Sequence, residues 1–329
     1  MEVRTFAPIV IPTLNRQEHL ERCIDSLKRC SGSENTVLVV GLDYPPSEHY
    51  YDGYKKMKEY LPTIQGFKEV IILEAKSNLG VIANCARLYD YVQKQGYDRY
   101  IFTEDDNEFS PNFLEYINWG LEHFKDEHSV YAICGFKDVN TETINNNIYI
   151  LNDIFCAWGF GSWFNRYEKK KELQNHVIIR KLLDNASITD AFTSKVWQLS
   201  SLTIQLAQRT YWGDMIVSLL PKEERWCVFP KENKVRNWGW DGTGTHGGSP
   251  ESFERYSTML IDSEEHFDPV IVEDLYSPVV DEHFKKKYKK TKKACIRAAI
   301  TFLSYKISGY IPVSNKQSKW LKIKLQKVQ

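Results

Sequence analysis

Four short apolar runs near the beginning of the chain, each followed by a segment with helical spacing, constrain its fold most strongly. The runs occupy residues 7–12, 36–42, 69–74 and 99–103. Their hydrophobic residues are continuous instead of alternating, which is typical of strands that are covered on both faces. Between the runs, apolar residues recur every three or four positions, as in residues 17–29. This order predicts an α/β fold with a mostly parallel sheet flanked by helices.

Polar side chains follow these predicted strands at the point where each strand ends. Asn15, Asp43, Asn78 and Asp106 all occupy such positions. Ligands of open parallel sheets bind beyond the carboxyl ends of the strands. We therefore expect these four side chains to lie at one ligand-binding edge.

Three consecutive carboxylates, Glu104, Asp105 and Asp106, follow the fourth predicted strand. Adjacent carboxylates repel one another unless a cation is present. Mg²⁺ and Mn²⁺ prefer oxygen ligands and bridge diphosphates together with one or two protein carboxylates. The alternative is a solvated acidic turn ahead of a helix that begins near Pro111. The position at the end of a strand favours the metal and diphosphate interpretation.

Charge is balanced over the whole chain but is distributed unevenly along it. Lys plus Arg and Asp plus Glu each number 43, yet 14 basic and no acidic residues follow Glu282. The predicted tail, residues 281–329, combines a basic block with an amphipathic helix, which favours binding to an anionic membrane surface over spanning it. A solvated tail and a helix packed on the body are the alternatives. Nucleic acid is not an expected partner, because the body is acidic.

Cysteine spacing and hydropathy indicate a cytoplasmic protein. The seven cysteines are scattered and lack a C-x-x-C spacing, so neither a disulfide framework nor a zinc ribbon is predicted. The first residues contain no long apolar region that would indicate a signal peptide, and no apolar stretch reaches the roughly 18 residues of a membrane span. With the basic tail, these features predict a peripheral protein on the inner face of the cytoplasmic membrane.

Several of these motifs, taken in order, resemble one known family. Val10–Arg16, the strand ending in Asp43, Asn78–Gly80 and Phe102–Asp106 together resemble the nucleotide-diphospho-sugar glycosyltransferases of the GT-A fold. Residues 104–113 are similar to the metal motif of the N-acetylglucosaminyltransferase I type. Residues 158–163 and 242–246 resemble bacterial surface-polysaccharide members of the same group. The resemblance covers about residues 7–250.

The resemblance implies a role for each matching residue. Asp106 is the implied metal ligand, with His246 completing the metal shell, and the implied cofactor is Mn²⁺ or Mg²⁺. Asp105 would contact the ribose or the sugar, while Glu104 supports the same turn. Asp43 would accept a hydrogen bond from the base. The other positions implied to lie beside the nucleotide are Pro12, Thr13, Asn15, Arg16, Asn78 and Gly80.

The segment rich in aromatic residues and glycine around Trp158, Gly159 and Gly161 is predicted to bind the sugar and the acceptor. Aromatic rings stack on sugars, and glycine lets the backbone approach a ligand. A core-packed aromatic corner is the alternative.

The resemblance implies that Asp214 is the catalytic base, because the base of this superfamily is an Asp or Glu on a helix after the aromatic segment. Inverting transfer needs such a group to take the proton from the acceptor hydroxyl. Asp190 is a rival, and a plain helix N-cap is the alternative role for Asp214.

These observations predict a metal-dependent hexosyl- or N-acetylhexosaminyltransferase of surface polysaccharide biosynthesis. It would move a sugar, with inversion, from a nucleotide diphosphate donor such as a UDP-sugar to a saccharide or lipid-linked acceptor. Residues 1–136 would bind the donor, and residues 137–280 would bind the acceptor and carry catalysis. A catalytically silent GT-A scaffold is the main alternative. A sugar nucleotidyltransferase is disfavoured, because residues 12–16 lack the glycine-rich basic loop of that class.

Overall fold

The structure, a computed structural model, describes residues 6–152, 154–173, 184, 217, 220, 222–244, 248–287, 292–314 and 320–324. The strands are β1 (Ile9–Thr13), β2 (Val37–Leu42), β3 (Glu69–Glu74), β4 (Arg99–Phe102), β5 (Asn107–Phe109), β6 (Val130–Cys134), β7 (Ile148–Asn152), β8 (Phe160–Trp163), β9 (Trp226–Pro230), β10 (Val235–Asn237), β11 (Tyr310–Ser314) and β12 (Trp320–Lys324). The α-helices are α1 (Gln17–Lys28), α2 (Tyr51–Tyr60), α3 (Gly80–Lys94), α4 (Phe113–His123), α5 (Phe164–Leu173), α6 (Pro250–Ser257), α7 (Pro278–Lys287) and α8 (Lys292–Ser308). Short 3₁₀ turns occupy Ser33–Asn35, Glu48–Tyr50, Leu61–Thr63 and Lys222–Glu224.

Within these residues, one large mixed sheet has the order β3-β2-β1-β4-β8-β6-β9-β7. The first four of these strands are parallel to one another, and β6 is parallel to β9. This confirms the predicted α/β fold with a large, mostly parallel sheet. The predicted donor half and acceptor half share this sheet, because β8 from the second half lies between β4 and β6 from the first.

Continuous hydrophobicity in the first strands is explained by helices on both faces of the sheet. Ile9 and Ile11 of β1 are buried in the core that α1 covers, whereas Val10 between them is buried in the core that α3 covers. Because successive side chains of a strand point to opposite faces, every residue of β1 must be apolar or otherwise satisfied. The helix spacing read from residues 17–29 and 78–95 corresponds to α1 and α3.

The segment around Gly161 forms a central strand, where the sequence predicted a ligand-binding loop. Strand β8 pairs antiparallel with both β4 and β6. A Cβ atom at Gly161 would lie 2.6 Å from Cγ2 of Ile117 in α4, so glycine is required for this helix to approach the sheet. The short, glycine-containing run was mistaken for a loop because its packing partners are distant in sequence.

A small second sheet connects the acidic turn, residues 104–106, to the glycine-rich loop that follows β10. Strand β5 directly follows the acids, and it pairs antiparallel with β10, with Asn107 opposite Asn237. Glu108 and Arg236 reinforce the pair through two hydrogen bonds of 2.8 Å and 2.7 Å. Residues 238–244, which follow β10, are thereby held beside the carboxyl end of β4.

The C-terminal part wraps around the sheet and ends in two helices and a hairpin. Side chains of Asn146 and Asn147 exchange hydrogen bonds with the backbone of residues 268–274. The predicted helix in the tail is present as α8, but the β11–β12 hairpin after it was not predicted. No helix in the described part of the chain combines the length and the hydropathy needed to cross a bilayer.

Candidate active site

The carboxyl ends of β1 and β4 bring Thr13 and Asp105 together. The Thr13 hydroxyl donates a hydrogen bond of 2.7 Å to Oδ2 of Asp105, and both residues are buried. The backbone of Thr13 also accepts a 2.9 Å hydrogen bond from the amide of Asp43 at the end of β2. Three strand ends therefore converge here, as the topology of a parallel sheet requires.

Asp106 is held from the opposite side by the segment after β10. Asn237 Nδ2 donates to Oδ1 of Asp106 at 2.8 Å, and the Trp238 amide donates to its carbonyl at 2.8 Å. The backbone at Gly239 passes so close that a Cβ atom there would lie 2.0 Å from Oδ2 of Asp106. Only glycine permits this approach, so position 239 is part of the site's construction.

Arg16 is the counter-charge of the two aspartates. Its Nη2 contacts Oδ1 of Asp105 and lies 2.9 Å from Oδ2 of Asp106. Burial lowers the pKa of Arg16, but the two carboxylates outweigh this effect and raise it above the ordinary value, so the guanidinium stays charged. Its other terminal nitrogen, Nη1, is buried and has no hydrogen-bond partner among the residues that the structure describes. An unsatisfied, charged donor of this kind is a position that an anion can occupy.

Glu104 differs from its two neighbours because the Arg16 guanidinium does not contact it. Burial, together with the charges of Asp106 and Asp105, raises its pKa to about 8. Burial is also the main cause that raises the pKa of Asp105, assisted by Asp106 and opposed by Arg16. One arginine therefore does not stabilise a full negative charge on all three acids, and the pKa values of Glu104 and Asp105 rise as a result.

Asp43, Asn78 and Gly80 meet at the ends of β2 and β3, as predicted. The Asp43 carboxylate accepts hydrogen bonds from the amides of Leu79 and Gly80, both at 2.9 Å, and from the Tyr44 amide at 2.8 Å. Asn78 Nδ2 lies 3.3 Å from its Oδ2. These donors fill the acceptor capacity of a carboxylate. Asp43 thus caps the first turn of α3, so the amides of Leu79 and Gly80 already have a protein partner.

The remaining predicted residues of the first loop, Pro12 and Asn15, have structural contacts. Pro12 is buried in β1, opposite Gly41 of β2. Asn15 is half-buried, and its carbonyl oxygen lies so close to α2 that a Cβ atom at Gly53 would be 2.2 Å away. Helix α2 therefore fixes the backbone of the loop that carries Arg16.

Part of the glycine-rich loop closes over Arg16. A Cβ atom at Gly244 would lie 3.4 Å from the unpartnered Nη1. Asp241 in the same loop pairs with Nε2 of His19 on α1, at 3.2 Å. The amide and hydroxyl of Thr243 lower the pKa of Asp241 despite its partial burial. His19 therefore connects this loop to α1.

Trp158, Gly159 and Gly161 have core contacts. Trp158 is half-buried in an aromatic cluster, with ring centroids 4.7 Å from Phe136 and 5.0 Å from Tyr256. Gly159 adopts a φ of +62° and its carbonyl accepts a 2.8 Å hydrogen bond from the Gly135 amide. Gly161 lies inside β8, as described above. The sugar and acceptor contacts expected of Trp158, Gly159 and Gly161 stay predictions.

Three further predicted residues, Asp214, its rival Asp190 and His246, lie outside the described residues. Their roles stay predictions.

The side chains around Asp106 fit a divalent metal with a diphosphate. The donors are hard carboxylate oxygens, which Mg²⁺ and Mn²⁺ prefer. Asp105 and Asp106 could hold the cation, and the buried, unpartnered Nη1 of Arg16 offers a donor to the anion. Within the described residues, no group of three or more His, Cys, Asp or Glu side chains is arranged around a common metal position.

Sequence reasoning missed Asn237 and Gly239, although it found the glycine-rich loop that follows them. Asn237 contacts Asp106 and also Oδ1 of Asn107, at 2.8 Å each. The run Asn-Trp-Gly-Trp-Asp-Gly beginning at position 237 is an unusual combination of aromatic residues and glycine. That composition was the signal, but the pairing of β10 with β5 was needed to show what it contacts.

The fold and this acidic cluster at the strand ends define a class of protein, the GT-A nucleotide-sugar glycosyltransferases. Comparison with known families places the chain more narrowly. A profile described as Glycosyl transferase family 2 matches residues 9–185, which is more than half of the chain. The chain belongs to this family. No curated protein matches the chain significantly.

Comparison with solved structures finds more distant similarity. The mannosyltransferase PcManGT from Pyrobaculum calidifontis, in complex with GDP-Man and Mn²⁺, is 13% identical with a TM-score of 0.34, covering 50% of this chain and 46% of that one. S. aureus TarS 1-349 is 9% identical with a TM-score of 0.37, covering 92% and 72%. The inositol-1-phosphate CTP transferase from T. maritima is 16% identical with a TM-score of 0.30, covering 51% and 75%. This chain thus spans less than half the length of the mannosyltransferase. Scores this low carry no conclusion about substrate.

Proposed function

We propose that this protein is a metal-dependent, inverting glycosyltransferase that uses a nucleotide diphosphate donor, with a UDP-sugar as the favoured donor. The observation that carries the proposal is the convergence of Thr13, Arg16, Asp105, Asp106 and Asn237 at the carboxyl ends of β1 and β4. It combines acids that suit a hard cation with a buried arginine nitrogen that no described residue contacts by a hydrogen bond.

The protein's own residues supply binding and orientation of the donor. A bound Mn²⁺ or Mg²⁺ would offset charge on the departing diphosphate. Asp105 and Asp106 would hold that cation, and the hydrogen bonds from Thr13 and Asn237 keep both carboxylates in position. Arg16 could donate from Nη1 to the diphosphate while its Nη2 stays on the aspartates, because Nη1 has no hydrogen-bond partner among the described residues. This arrangement would place positive charge where negative charge develops during transfer.

Asp43 would order the nucleotide-binding edge. Its four acceptor positions are engaged by residues 44 and 78–80, so a contact to the base requires one of these bonds to be released. The alternative is that Asp43 only shapes the loop and does not contact the base.

Asp214 is the proposed base that takes the proton from the acceptor hydroxyl. The family resemblance supports this role, and Asp190 is the rival. Comparing Asp214→Asn with Asp190→Asn separates them: the variant of the true base should bind the donor normally but lose transfer. If Asp214→Asn transfers at the wild-type rate, the base lies elsewhere.

The proposed acceptor is a saccharide or a lipid-linked saccharide, and the proposed process is surface polysaccharide biosynthesis. The basic tail, residues 281–329, supports a location at the inner face of the cytoplasmic membrane, where such acceptors are made. Trp158 is proposed to contact the sugar or the acceptor from the rim of its aromatic cluster.

One observation favours a second candidate, a catalytically silent scaffold with the same fold. Arg16 pairs with both aspartates, so the acids have a counter-charge without any metal. A scaffold of this kind would need neither donor nor cation.

A panel of nucleotide sugars tests the proposed function. Each sugar is incubated with the full chain, with MnCl₂ or with EDTA, and free nucleoside diphosphate is measured. We expect release from at least one UDP-sugar, only with Mn²⁺. Release that is equal in EDTA would contradict the metal dependence, and no release from any donor would favour the scaffold.

A further inference from the structure

Helix α8 has two different apolar faces, of which only one is covered by the protein. Phe302 and Tyr305 are buried, at 2% and 5% exposure, and the Tyr305 hydroxyl donates to Asp184 Oδ1 at 2.8 Å. These contacts fix the helix on the body of the protein. They also fix which side of the helix points away.

The outward side of α8 carries an apolar stripe, defined as Ile296, Ile300, Leu303 and Ile307. These four side chains are 55%, 59%, 38% and 85% exposed. Their spacing of four, three and four residues places them on one face of an α-helix, about 16 Å long. Four large apolar side chains in one exposed row are not the scattered pattern of an ordinary surface. A stripe of this kind indicates a surface that binds something.

Charge around the stripe indicates which partner it fits. Residues 285–297 contain eight Lys or Arg residues and no Asp or Glu, and Lys292 and Lys293 begin α8 itself. The chain before residue 283, in contrast, has an excess of acidic residues. An anionic surface would therefore attract the region of α8 and repel the rest of the molecule.

We infer that the stripe on α8 is the surface by which this protein binds an anionic lipid bilayer, with the four apolar side chains inserted among the headgroups. Helix α8 would lie in the plane of the membrane, because its opposite face remains packed through Phe302 and Tyr305. This deepens the proposed membrane location, and it rests on that part of the proposed function only. The inference assigns membrane binding to the four apolar side chains of the stripe as well as to the basic block.

Vesicle flotation with the full chain tests the inference. Wild-type protein is mixed with vesicles of phosphatidylcholine containing phosphatidylglycerol, or with vesicles of phosphatidylcholine alone, and floated through a sucrose gradient. We expect flotation with the anionic vesicles only. The double variant Ile300→Ser/Ile307→Ser should lower the partition coefficient at least about tenfold, since two exposed isoleucines no longer enter the lipid.

A matched control removes two equally exposed apolar side chains elsewhere. Leu260 and Val272 are 89% and 69% exposed and lie outside α8. The variant Leu260→Ser/Val272→Ser should float like wild type. If Ile300→Ser/Ile307→Ser floats like wild type, or if both double variants lose flotation equally, the assignment of the stripe is wrong.

Sedimentation without vesicles decides whether the stripe binds a second copy of the chain instead. A monomer at micromolar concentration supports the lipid assignment. A dimer that Ile300→Ser/Ile307→Ser abolishes, together with wild-type protein that does not float, would overturn it.

Donor binding separates this inference from the proposed enzymatic function. The Ile300→Ser/Ile307→Ser variant should bind UDP with Mn²⁺ as wild type does. Protein that floats but binds no nucleotide would refute the enzymatic proposal and leave the membrane surface supported.

Discussion

At the scale of single residues, the positive charge of one arginine partly offsets the negative charges of two aspartates in the site. Arg16 contacts both Asp105 and Asp106, and all three side chains are mostly shielded from water. The guanidinium therefore stabilises the folded protein and also occupies the side of the aspartates that a metal would approach. Donor binding and metal binding should consequently be coupled, because the diphosphate gives Arg16 a new partner.

Replacing Arg16 with Gln should make the protein dependent on a cation for stability. Without Mn²⁺, two shielded carboxylates lose their counter-charge, and we expect a loss of about 2 kcal/mol in the free energy of unfolding. Added Mn²⁺ should restore part of it, whereas wild-type protein should respond little. Thermal unfolding with and without MnCl₂ measures both effects.

Arg29→Gln is the matched control, because Arg29 lies exposed just after α1. It should change neither the stability nor the response to Mn²⁺. An equal response of wild type and Arg16→Gln to Mn²⁺ would show that Arg16 does not compete with the cation.

At the scale of secondary-structure elements, the contact of α4 with β8 positions the strands that end at the site. Gly161 allows this contact, since any Cβ atom there would meet Ile117 of α4 at 2.6 Å. We expect Gly161→Ala to lower the free energy of unfolding by about 1–3 kcal/mol through overpacking. Urea unfolding measures the loss.

Nucleotide affinity of folded Gly161→Ala protein should equal that of wild type. A Gly161→Ala variant that is as stable as wild type but binds a donor sugar less tightly would instead indicate that Gly161 contacts the sugar.

An ion-pair cluster of Glu122, Lys125 and Arg99 connects the C-terminal end of α4 with the beginning of β4. The lowered pKa of Glu122 gives a pH-dependent prediction. Hydrogen bonds from Lys125, at 2.8 Å, and Arg99, at 3.0 Å, lower the pKa of Glu122 to about 2. The unfolded chain has the ordinary, higher pKa, so this stabilisation is present above pH 4.5 and is lost as the pH falls toward 2.

Glu122→Gln should therefore cost about 1 kcal/mol at pH 7, a value kept small because the cluster is largely exposed to water. The difference from wild type should shrink below pH 4. Urea unfolding at pH 7 and at pH 3 measures it, with Glu127→Gln as an exposed control. A cost that is the same at both values would mean that the charge of Glu122 contributes nothing.

At the scale of the whole molecule, a buried ion pair connects the segment after α6 with the segment directly before β10. Lys234 and Asp262 pair with 3% and 8% exposure, and Asn112 at the start of α4 donates to the same carboxylate at 2.9 Å. One carboxylate thus connects three distant parts of the chain. Its removal leaves Lys234 buried without a counter-charge.

Asp262→Ala should lower the free energy of unfolding by about 3 kcal/mol or more. Asp25→Ala, which removes the exposed partner of Lys28, should cost less than about 1 kcal/mol. Chemical unfolding of both variants tests the comparison. Equal losses in the free energy of unfolding for the two variants would indicate that the buried pair does not hold the segment after α6 in place.

How much of this could be predicted from the sequence depends on the range of the interactions. Local patterns were enough for β1–β4 and their helices, and for the meeting of Thr13, Asp43 and Asp105 at one edge, since parallel topology determines where strand ends lie. Contacts set by distant pairing were not accessible. Strand β8 needs β4 and β6, Asn237 reaches Asp106 only through the pairing of β10 with β5, and the filled carboxylate of Asp43 depends on the amides of residues 79 and 80.

Calorimetric titration of UDP into the full chain, with MnCl₂ and with EDTA, tests the central claim most directly. We predict that wild-type protein binds UDP with Mn²⁺ and at least about tenfold more weakly in EDTA. Asp106→Asn should bind equally weakly under both conditions while keeping the wild-type unfolding transition. Binding of UDP that is unaffected by EDTA and by Asp106→Asn would contradict the assignment of Asp105 and Asp106 as the place where a cation and a diphosphate meet.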